Sequence, residues 1–406
     1  MIDMSKVEVK VVVVGSNYGD EGKGLATHYF SQKANQDNKS CLNILFNGGC
    51  QRGHTVELKN GIRHIFHHFG SGSFDNAHTY FDQDFMVNPM VFVEEKEILC
   101  HAMKDLGCEF PMCYISPECR VTTPYDMFIN QIVETSREHN RHGSCGYGIW
   151  ETQKRYEDGR YSLKYGELQH KTDYEIICHL HDIAFKYLPE RLAYYGVTEI
   201  PVEYKNLIDS YGLAKHYLAD LRRMQKEVVQ ISFGDISSMY DTIVFEGAQG
   251  LELDEDNKRA FPNITASKTT SFIPMKRIEP YCFDVEICYI TRSYFTRHGA
   301  GAFPTECRKE EINPSIEDKT NVHNEFQEFI RYGKFDMDEF LCRVKKDIDS
   351  SKSIIPCVTT SLFVSHLNYT NDIAGNCTIN DLKQYFDNIY TSKTKYSDDV
   401  KHERNG

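Results

Sequence analysis

The chain has 406 residues, of which 40% are hydrophobic and 26% are charged, and its formal net charge is -13 at pH 7. This length allows two or three average domains or one large α/β unit. The acidic balance argues against a nucleic-acid partner, although it leaves room for a local basic pocket that binds a small anion. No apolar run approaches the length that spans a bilayer, and residues 1–6 do not resemble a secretory signal. We therefore expect a cytoplasmic protein with no membrane partner.

Short apolar segments predict strands at intervals along the chain. The first, Val7–Val14, runs into a glycine-rich loop, after which Leu25–Phe30 predicts the start of a helix. The other predicted strands are Cys41–Phe46, Thr242–Phe245, Val285–Ile290 and Ile354–Val358, with helix-length segments between them such as Tyr174–Tyr187 and Leu213–Val229. This alternation predicts a single α/β domain over residues 1–406, with a large, mostly parallel central sheet flanked by helices. Only the polar tail, Ser392–Gly406, is expected to fray.

The loop after the first strand, Gly15–Gly24, reads GSNYGDEGKG. A buried strand that delivers closely spaced glycines to a helix N-terminus presents backbone N–H groups to a phosphate, and Lys23 adds a positive charge. The loop departs from the standard P-loop pattern, because Asn17 replaces a glycine and Gly24 replaces the residue that binds magnesium. The sequence therefore predicts a P-loop-like phosphate site in which Asp20 binds the metal or acts on the substrate. A glycine-rich turn without a ligand is the alternative for this loop taken alone.

Further motifs follow in a fixed order. They are Gly48–Val56 (GGCQRGHTV), His67–Gly72 (HHFGSG), Phe245–Gly250 (FEGAQG) with Leu253-Asp254 and Phe261–Thr265, and Thr296–Glu306 (TRHGAGAFPTE). Together with GDEGKG, this set resembles the adenylosuccinate synthetase family, whose corresponding patterns include GG-x-N-A-GHT, FEGAQG and TR-x-GAG-x-FPTE. The resemblance covers roughly residues 7 to 336, and five motifs in order make it specific.

The resemblance implies a ligase that joins L-aspartate to C6 of a purine nucleoside monophosphate through a 6-phosphoryl intermediate, driven by a nucleoside triphosphate. Asp20 would take the N1 proton of the purine, and His54 would donate a hydrogen bond or a proton to the 6-oxygen or the phosphate. Gln249 would complete the catalytic set. Mg²⁺ would lie between Asp20 and the backbone carbonyl of Gly53, where it would neutralise the growing charge.

The same resemblance assigns residues to the nucleotides. The loop amides and Lys23 would hold the triphosphate, while Gln249, Thr265 and Ser144 would hold the monophosphate. Arg155 would reach into the nucleotide site of a partner subunit, which implies a homodimer. The full set of nucleotide-binding candidates is Gly19, Glu21, Gly22, Lys23, Gly24, Gln51, Gly53, Thr55, Ser144, Arg155, Thr265, Arg331, His366 and Asn368.

Three segments depart from the family pattern. The aspartate loop is represented by the shorter Asn324–Asp336, in which only Arg331 remains to meet a carboxylate. In the base-reading segment, Ser365–Asn368 ends in an amide where the family has a carboxylate. An amide weakens the requirement for guanine, so ATP or dATP becomes a credible phosphate donor beside GTP.

The third departure is His142–Gly148, followed by Glu151 and Arg155. The shortened architecture is similar to the viral branch of the family, the aminoadenylosuccinate synthetases, which act on dGMP. That branch commonly has serine in place of the loop aspartate, whereas Asp20 is present here, so we favour IMP as the substrate and keep dGMP as the alternative. A function of another class, a regulatory GTPase-like module, would leave His54 and Gln249 without a role.

Overall fold

The computed structural model describes residues 7–138, 141–281, 284–317 and 329–404. The strands are β1 (Val9–Gly15), β2 (Cys41–Leu45), β3 (His54–Glu57), β4 (Arg63–Phe66), β5 (His78–Phe81), β6 (Met86–Val87), β7 (Cys113–Ile115), β8 (Arg120–Val121), β9 (Val228–Gln230), β10 (Thr242–Gly250), β11 (Asp284–Arg292), β12 (Phe295–Arg297), β13 (Glu306–Cys307), β14 (Arg331–Gly333), β15 (Cys357–Ser365), β16 (Asn388–Thr391) and β17 (Lys401–Arg404). The α-helices are α1 (Lys23–Gln36), α2 (Pro89–Leu106), α3 (Pro124–Ser136), α4 (Ile149–Asp158), α5 (Tyr165–Leu168), α6 (Asp173–Asp182), α7 (Leu188–Tyr194), α8 (Val202–Ile208), α9 (Tyr211–Glu227), α10 (Phe233–Ser237), α11 (Phe272–Ile278), α12 (Met337–Lys352), α13 (Leu367–Thr370) and α14 (Ile379–Lys383).

One ten-stranded sheet forms the centre of the molecule. Its strands lie in the order β17-β16-β15-β11-β1-β10-β2-β5-β7-β9. Each neighbouring pair is parallel except β16 and β17, which are antiparallel. The predicted fold class, a large and mostly parallel sheet flanked by helices, is confirmed.

The middle strand β1 shows why the sheet is covered on both faces. Its valines from Val11 to Val14 are fully buried and alternate between two apolar clusters. Val11 and Val13 belong to the cluster that contains Phe30 of α1, whereas Val12 and Val14 belong to the cluster that contains residues of α12. Successive side chains of a strand point to opposite faces, so an uninterrupted valine run is suited to a strand with helices on both sides.

The carboxyl ends of the parallel strands position the site. The phosphate loop follows β1, while Gln249 lies near the end of β10, Arg292 ends β11 and Ser365 ends β15. Because parallel strands place their carboxyl ends at one edge of a sheet, these residues gather at the same edge. Open α/β sheets bind ligands there.

Three predicted elements differ in the structure. The helical segment expected at Leu213–Val229 ends at Glu227, because Val228 and Val229 belong to β9. The strand expected at Ile354–Val358 is β15, which begins at Cys357, because the amides of Ile354 and Ile355 bond to the carbonyl oxygen of Ser351 at the end of α12, at 3.0 and 2.9 Å. The tail expected to fray is ordered through residue 404. Its last described residues form β17 on the edge of the sheet, and residues 405–406 lie outside the described part of the chain.

Candidate active site

The loop between β1 and α1 turns on two glycines with positive φ, Gly19 at 111° and Gly22 at 100°. Residues with a Cβ rarely adopt such angles. In the first turn of α1, a Cβ added to Gly24 would lie 3.0 Å from the Cβ of His54 and 3.1 Å from the carbonyl oxygen of Thr55. The phosphate loop and the Gly-His-Thr segment belong to two separate sequence motifs, and in the structure they are in contact.

Glu21 organises the inside of this loop. Its carboxylate accepts hydrogen bonds from the backbone N–H groups of Asn17 at 3.1 Å and Gly19 at 2.7 Å. It also faces the Lys23 ammonium group at 3.4 Å, and Lys23 donates to the carbonyl oxygen of Gly19 as well. Burial raises the pKa of Glu21, an effect that the Lys23 charge opposes. Both side chains are buried and support the loop from within, so their contact with phosphate stays a prediction.

Asp20 has a different environment from Glu21. Its side chain retains 28% of its exposure, and the residue lines the cavity described below. The backbone of Asp20 is fixed because its carbonyl oxygen accepts a hydrogen bond from Arg292 at the end of β11. One carboxylate oxygen lies 3.6 Å from Nε2 of His298. The carboxylate is therefore held at the cavity wall and remains accessible to a ligand.

His54 is anchored by a buried carboxylate on β10. Its Nδ1 lies 2.6 Å from Oε1 of Glu246, and the same oxygen forms an ion pair with the Arg52 guanidinium group at 2.8 Å. Ser71 donates to Glu246 through both its backbone N–H, at 3.0 Å, and its hydroxyl group. A carboxylate with this many donors is ionised, so Nδ1 of His54 carries the hydrogen and Nε2 is the free ring nitrogen.

The charges of this cluster follow from burial and from Arg52. Burial lowers the pKa of His54 to about 3, and the positive charge of Arg52 acts in the same direction, whereas the bond to Glu246 opposes both. The pKa of Glu246 is lowered to about 2, because Arg52, His54 and Ser71 together outweigh its burial. His54 is thus a neutral imidazole at neutral pH.

A cavity of about 600 Å³ lies beside the phosphate loop and gathers eight of the predicted residues. These are Gly19, Asp20, Gln51, Gly53, His54, Ser144, Gln249 and Thr265. Gln249 has a positive φ of 64°, which is rare for a residue with a side chain, and its Oε1 lies close to Gly19. All three predicted catalytic residues therefore share one cavity.

The other predicted residues do not line this cavity. Glu21, Gly22, Lys23, Gly24 and Thr55 lie behind its wall, in the phosphate loop, the start of α1 and β3. His366 and Asn368 lie at the start of α13, after β15. Ser365, at the end of β15, donates to the carbonyl oxygen of Glu21 at 2.8 Å, so this segment borders the phosphate loop directly.

Arg155 does not have the position that was expected. The side chain is only 1% exposed, and its guanidinium group bonds to both carboxylate oxygens of Asp126, at 2.8 and 2.9 Å. It also donates to the carbonyl oxygens of Val121 at 2.6 Å and Tyr161 at 2.7 Å. The prediction that Arg155 reaches into a partner subunit is therefore wrong, because all three nitrogens of its guanidinium group are used within its own subunit. The expected homodimer loses this support.

Arg331 also differs from its expected role. Its guanidinium group pairs with Glu306 and donates to the carbonyl oxygens of Gly299 at 3.1 Å and Gly301 at 2.9 Å. It does not line the cavity. The residue fixes the turn after β12, and its donors are used by protein acceptors rather than directed to a substrate carboxylate. The first part of the predicted aspartate loop, residues 324–328, lies outside the described residues, whereas residues 329–336 are described.

Sequence reasoning missed three residues of the site. Glu246 lies inside the FEGAQG motif, and a carboxylate in an otherwise apolar strand was the available signal. Arg52 lies in GGCQRGHT where the family pattern has alanine. His298 occupies a variable position of its motif and carried no signal.

The cluster of His54, Glu246, Arg52 and Ser71 makes the stability of the folded protein depend on pH. His54 has a pKa of about 3 in the folded protein against an ordinary value of 6.5. Between pH 3 and pH 6.5 its imidazole is therefore protonated in the unfolded chain but neutral in the folded protein. Its contribution is complete above pH 6.5 and is lost as the pH falls towards 3. We expect the free energy of unfolding to fall by ~2 kcal/mol between pH 8 and pH 5 from this group, measured by urea unfolding. Burial also lowers the pKa of His68, which adds to the same trend.

Glu246 contributes in a lower range, because its pKa of about 2 lies below the ordinary value of 4.5. Its share is complete above pH 4.5 and is lost only below that value. The raised pKa of Asp82, about 6, acts in the opposite direction over this range, so the wild type is compared with His54→Ala; an identical pH dependence of the two between pH 8 and pH 5 would contradict the neutral, buried imidazole.

The described residues contain neither a helix that could cross a membrane nor a side-chain cluster that could hold a metal ion. No helix there is long and apolar enough to cross a membrane. Within residues 7–138, 141–281, 284–317 and 329–404, no group of three or more His, Cys, Asp or Glu side chains could hold a metal ion.

Comparison with known proteins gives the family. A family model described as adenylosuccinate synthetase matches residues 12–353. The adenylosuccinate synthetase of Mesoplasma florum is 30% identical over 312 residues, which cover 74% of this chain and 65% of that protein. The one from Nitrosococcus oceani is 30% identical over 328 residues, which cover 77% of this chain and 66% of that protein. The chain thus spans just under two thirds of the length of these relatives.

Two solved structures share the fold. The fully ligated adenylosuccinate synthetase of Plasmodium falciparum has a TM-score of 0.63 and 18% identity, and the match covers 98% of this chain and 87% of that one. The succinoaminodeoxyadenylate synthetase of cyanophage S-2L, bound to dGMP and dATP, has a TM-score of 0.63 and 14% identity. This match covers 98% of this chain and 95% of that one. Identities this low show a shared fold only. On the strength of the family model, which matches well over half of its residues, the chain belongs to the adenylosuccinate synthetase family.

Proposed function

We propose that this protein is a ligase that joins L-aspartate to C6 of a purine nucleoside monophosphate at the expense of a nucleoside triphosphate. The observation that carries the proposal is the meeting of Asp20 and His54 in one cavity beside a phosphate loop. A carboxylate and an imidazole with different environments can divide proton removal and proton donation between them. Gln249, Thr265 and Ser144 line the same cavity and would hold the monophosphate.

In the first half of the reaction Asp20 takes the N1 proton of the purine. Electron density then moves to the 6-oxygen, which attacks the γ-phosphate of the triphosphate. This role needs a carboxylate that is accessible yet fixed. Asp20 meets both conditions, because its side chain is partly exposed and Arg292 holds its carbonyl oxygen.

His54 acts at the 6-oxygen and the transferred phosphoryl group. With Nδ1 bonded to Glu246, only Nε2 is available to the substrate. The imidazole is neutral in the free protein, and an oxyanion bound near Nε2 raises its pKa, because a nearby negative charge favours the protonated ring. A ring protonated in this way would donate a hydrogen bond from Nε2 to the phosphoryl group. In the second half, the aspartate amine displaces the phosphate from C6.

The cavity also suits Mg²⁺. The metal prefers oxygen ligands and keeps several waters, and Asp20 and Gly53 offer a carboxylate and a carbonyl oxygen within the same cavity. These two residues would hold the ion. When bound, it would neutralise the negative charge that grows on the phosphates.

IMP is the favoured acceptor, since a loop carboxylate that removes the N1 proton is present as Asp20. A second candidate is a 2-aminopurine nucleotide, dGMP, because the structurally similar cyanophage enzyme is one bound to dGMP and dATP. The reaction at C6 is the same for both acceptors. We also propose that the protein works as a homodimer in the cytoplasm.

A substrate panel tests this function. IMP, dIMP, GMP and dGMP would each be combined with GTP, ATP or dATP, with and without aspartate, and phosphate release measured. We expect release that requires both a monophosphate and aspartate. Steady hydrolysis of the triphosphate that needs neither would contradict the ligase and favour a regulatory GTPase-like module.

We propose that the start of α13 reads the base of the donor nucleotide. The segment that begins α13 borders the phosphate loop, as the bond from Ser365 to Glu21 indicates, and Asn368 there is exposed. A carboxylate at this position would accept from two N–H groups of guanine, whereas an amide turns one acceptor into a donor. That mismatch removes a preference for guanine of roughly ten- to a hundredfold. We expect ATP or dATP to be used at least as well as GTP, and Asn368→Asp to restore the preference for GTP.

The measurement is kcat/KM for the three triphosphates in the wild type and in Asn368→Asp. Asn371→Asp is the matched control, because it adds the same charge at the other end of α13. A strong preference of the wild type for GTP would show that another residue reads the base. If Asn371→Asp changed the preference for GTP as much as Asn368→Asp did, the effect would come from the added negative charge and not from a contact with the base.

A further inference from the structure

Arg52 is a buried arginine in the wall of the cavity that the proposed reaction does not use. It is 2% exposed, and among the described residues only one terminal nitrogen, Nη2, has partners: it forms an ion pair with Oε1 of Glu246 at 2.8 Å and donates to the carbonyl oxygen of Phe69 at 3.3 Å. The family pattern has alanine at this position of GG-x-N-A-GHT. The charge is therefore a feature of this chain rather than of the motif.

The remaining donors of Arg52 have no acceptor. Nε and Nη1 are buried and find no hydrogen-bond partner among the residues that the structure describes. The neighbouring Gln51 is in the same condition, because both atoms of its amide are buried and unpartnered within that part of the chain. Both residues line the cavity of about 600 Å³. Burying such donors without acceptors is costly, so two adjacent cases indicate a ligand group that meets them.

The chemistry of the two side chains indicates an oxyanion. A guanidinium group is always charged, and it bonds phosphates and carboxylates through several N–H groups at once. A phosphate is favoured over a carboxylate by the surroundings, because Arg52 shares one oxygen of Glu246 with His54, the residue proposed to act on the phosphoryl group. An anion that reaches Arg52 therefore lies within the catalytic cluster.

We propose that Arg52, assisted by Gln51, binds a phosphate group of the nucleotide substrates. This inference rests on the proposed function and deepens it. The phosphate has two sources, the 5′-phosphate of the monophosphate and the phosphoryl group in transfer. Arg155 is bonded to Asp126 and therefore does not offer its positive charge to the nucleotide. Arg52 would supply such a charge from within the same subunit.

The test compares the wild type with Arg52→Ala, which restores the family residue, and with Arg52→Lys, which keeps the charge. We expect Arg52→Ala to lose about 10- to 100-fold in kcat/KM for the monophosphate, and Arg52→Lys to recover part of the loss. Binding of the monophosphate, measured by calorimetry without turnover, identifies the 5′-phosphate if it weakens in Arg52→Ala while binding of the corresponding nucleoside does not. Exchange of ¹⁸O between the bridging and non-bridging positions of the triphosphate is measured without aspartate. If Arg52→Ala slows this exchange, the group that Arg52 binds is the phosphoryl group in transfer.

Other outcomes overturn the inference. Unchanged kcat, KM and exchange per folded molecule would show that Arg52 only supports the structure, even if the melting temperature falls. An effect confined to the KM of aspartate would assign the donors to a carboxylate instead. If Arg52→Ala does not fold, Arg52→Lys decides, because a lysine that binds and turns over substrate like the wild type leaves no role for the guanidinium group. A wild type without turnover in the substrate panel would fail the proposed function, whereas the calorimetric comparison still tests Arg52.

Discussion

Replacing Arg155 by leucine should lower the free energy of unfolding by about 3–5 kcal/mol, because it leaves a buried carboxylate without its partner. Asp126 is fully buried, and both of its oxygens bond to Arg155. The carbonyl oxygens of Val121 and Tyr161 would lose their donors at the same time. Urea unfolding of the wild type and the variant at pH 7.5 measures the difference.

Arg160→Leu is the control, since Arg160 is 59% exposed and its ion pairs with Asp158 and Glu190 lie at the surface. Exposed pairs contribute little, so we expect a change below ~1 kcal/mol. Replacing both partners, Arg155→Met with Asp126→Leu, should recover part of the loss because no unpaired charge remains. If Arg155→Leu instead kept full stability, lost activity and regained it when mixed with Asp20→Ala chains, Arg155 would act across an interface after all.

The local sequence was sufficient to predict features that depend on a single strand or a single loop. The valines of β1 alternate between two apolar clusters, so their run predicts a strand covered on both faces. The glycine-rich loop predicted after β1 lies between β1 and α1, and two of its four glycines, Gly19 and Gly22, have positive φ angles. The GDEGKG and GHT motifs were also predicted to act together, and their contact at Gly24 agrees with that prediction.

Long-range partners could not be obtained from motif spacing. Glu246 lies 192 residues from His54, and its role becomes visible only when β10 and β3 meet. Arg155 was assigned from the resemblance in a segment that departs from the family pattern, and its buried partners Asp126, Val121 and Tyr161 are not part of that motif. Strand β15 was misplaced because its polar start, Thr359-Thr360-Ser361, interrupts the apolar pattern on which the prediction depended.

The tail shows a further limit of composition. Its charged residues suggested fraying, yet β17 pairs with β16, and Gln32 and Lys59 bond to Asp398 and Asp399 at 2.8 and 2.7 Å. A polar segment can be ordered when it lies on the edge of a sheet, because its backbone bonds to the neighbouring strand and its side chains remain in water. Composition alone does not reveal that edge.

His54→Ala and Asp20→Ala should each lower kcat by about 10²–10⁴-fold, because a positioned acid or base acts in the transition state. For His54, the anchoring bond to Glu246 at 2.6 Å and the neutral ring fix which nitrogen faces the substrate. For Asp20, the variant removes the group that takes the N1 proton. In both cases KM should change less than kcat, because ground-state binding depends mainly on other residues. Initial rates of phosphate release with saturating monophosphate, triphosphate and aspartate measure the effect.

His216→Ala is the matched control, since His216 is 73% exposed, lies on α9 and does not line the cavity. We expect it to retain the wild-type rate. Exchange of ¹⁸O within the triphosphate separates the two halves of the reaction, and both active-site variants should slow it, because Asp20 and His54 act before aspartate enters. Turnover of either variant near the wild-type rate would end the proposed mechanism. Normal exchange with slow product formation would instead move that residue to the step in which the aspartate amine displaces the phosphate.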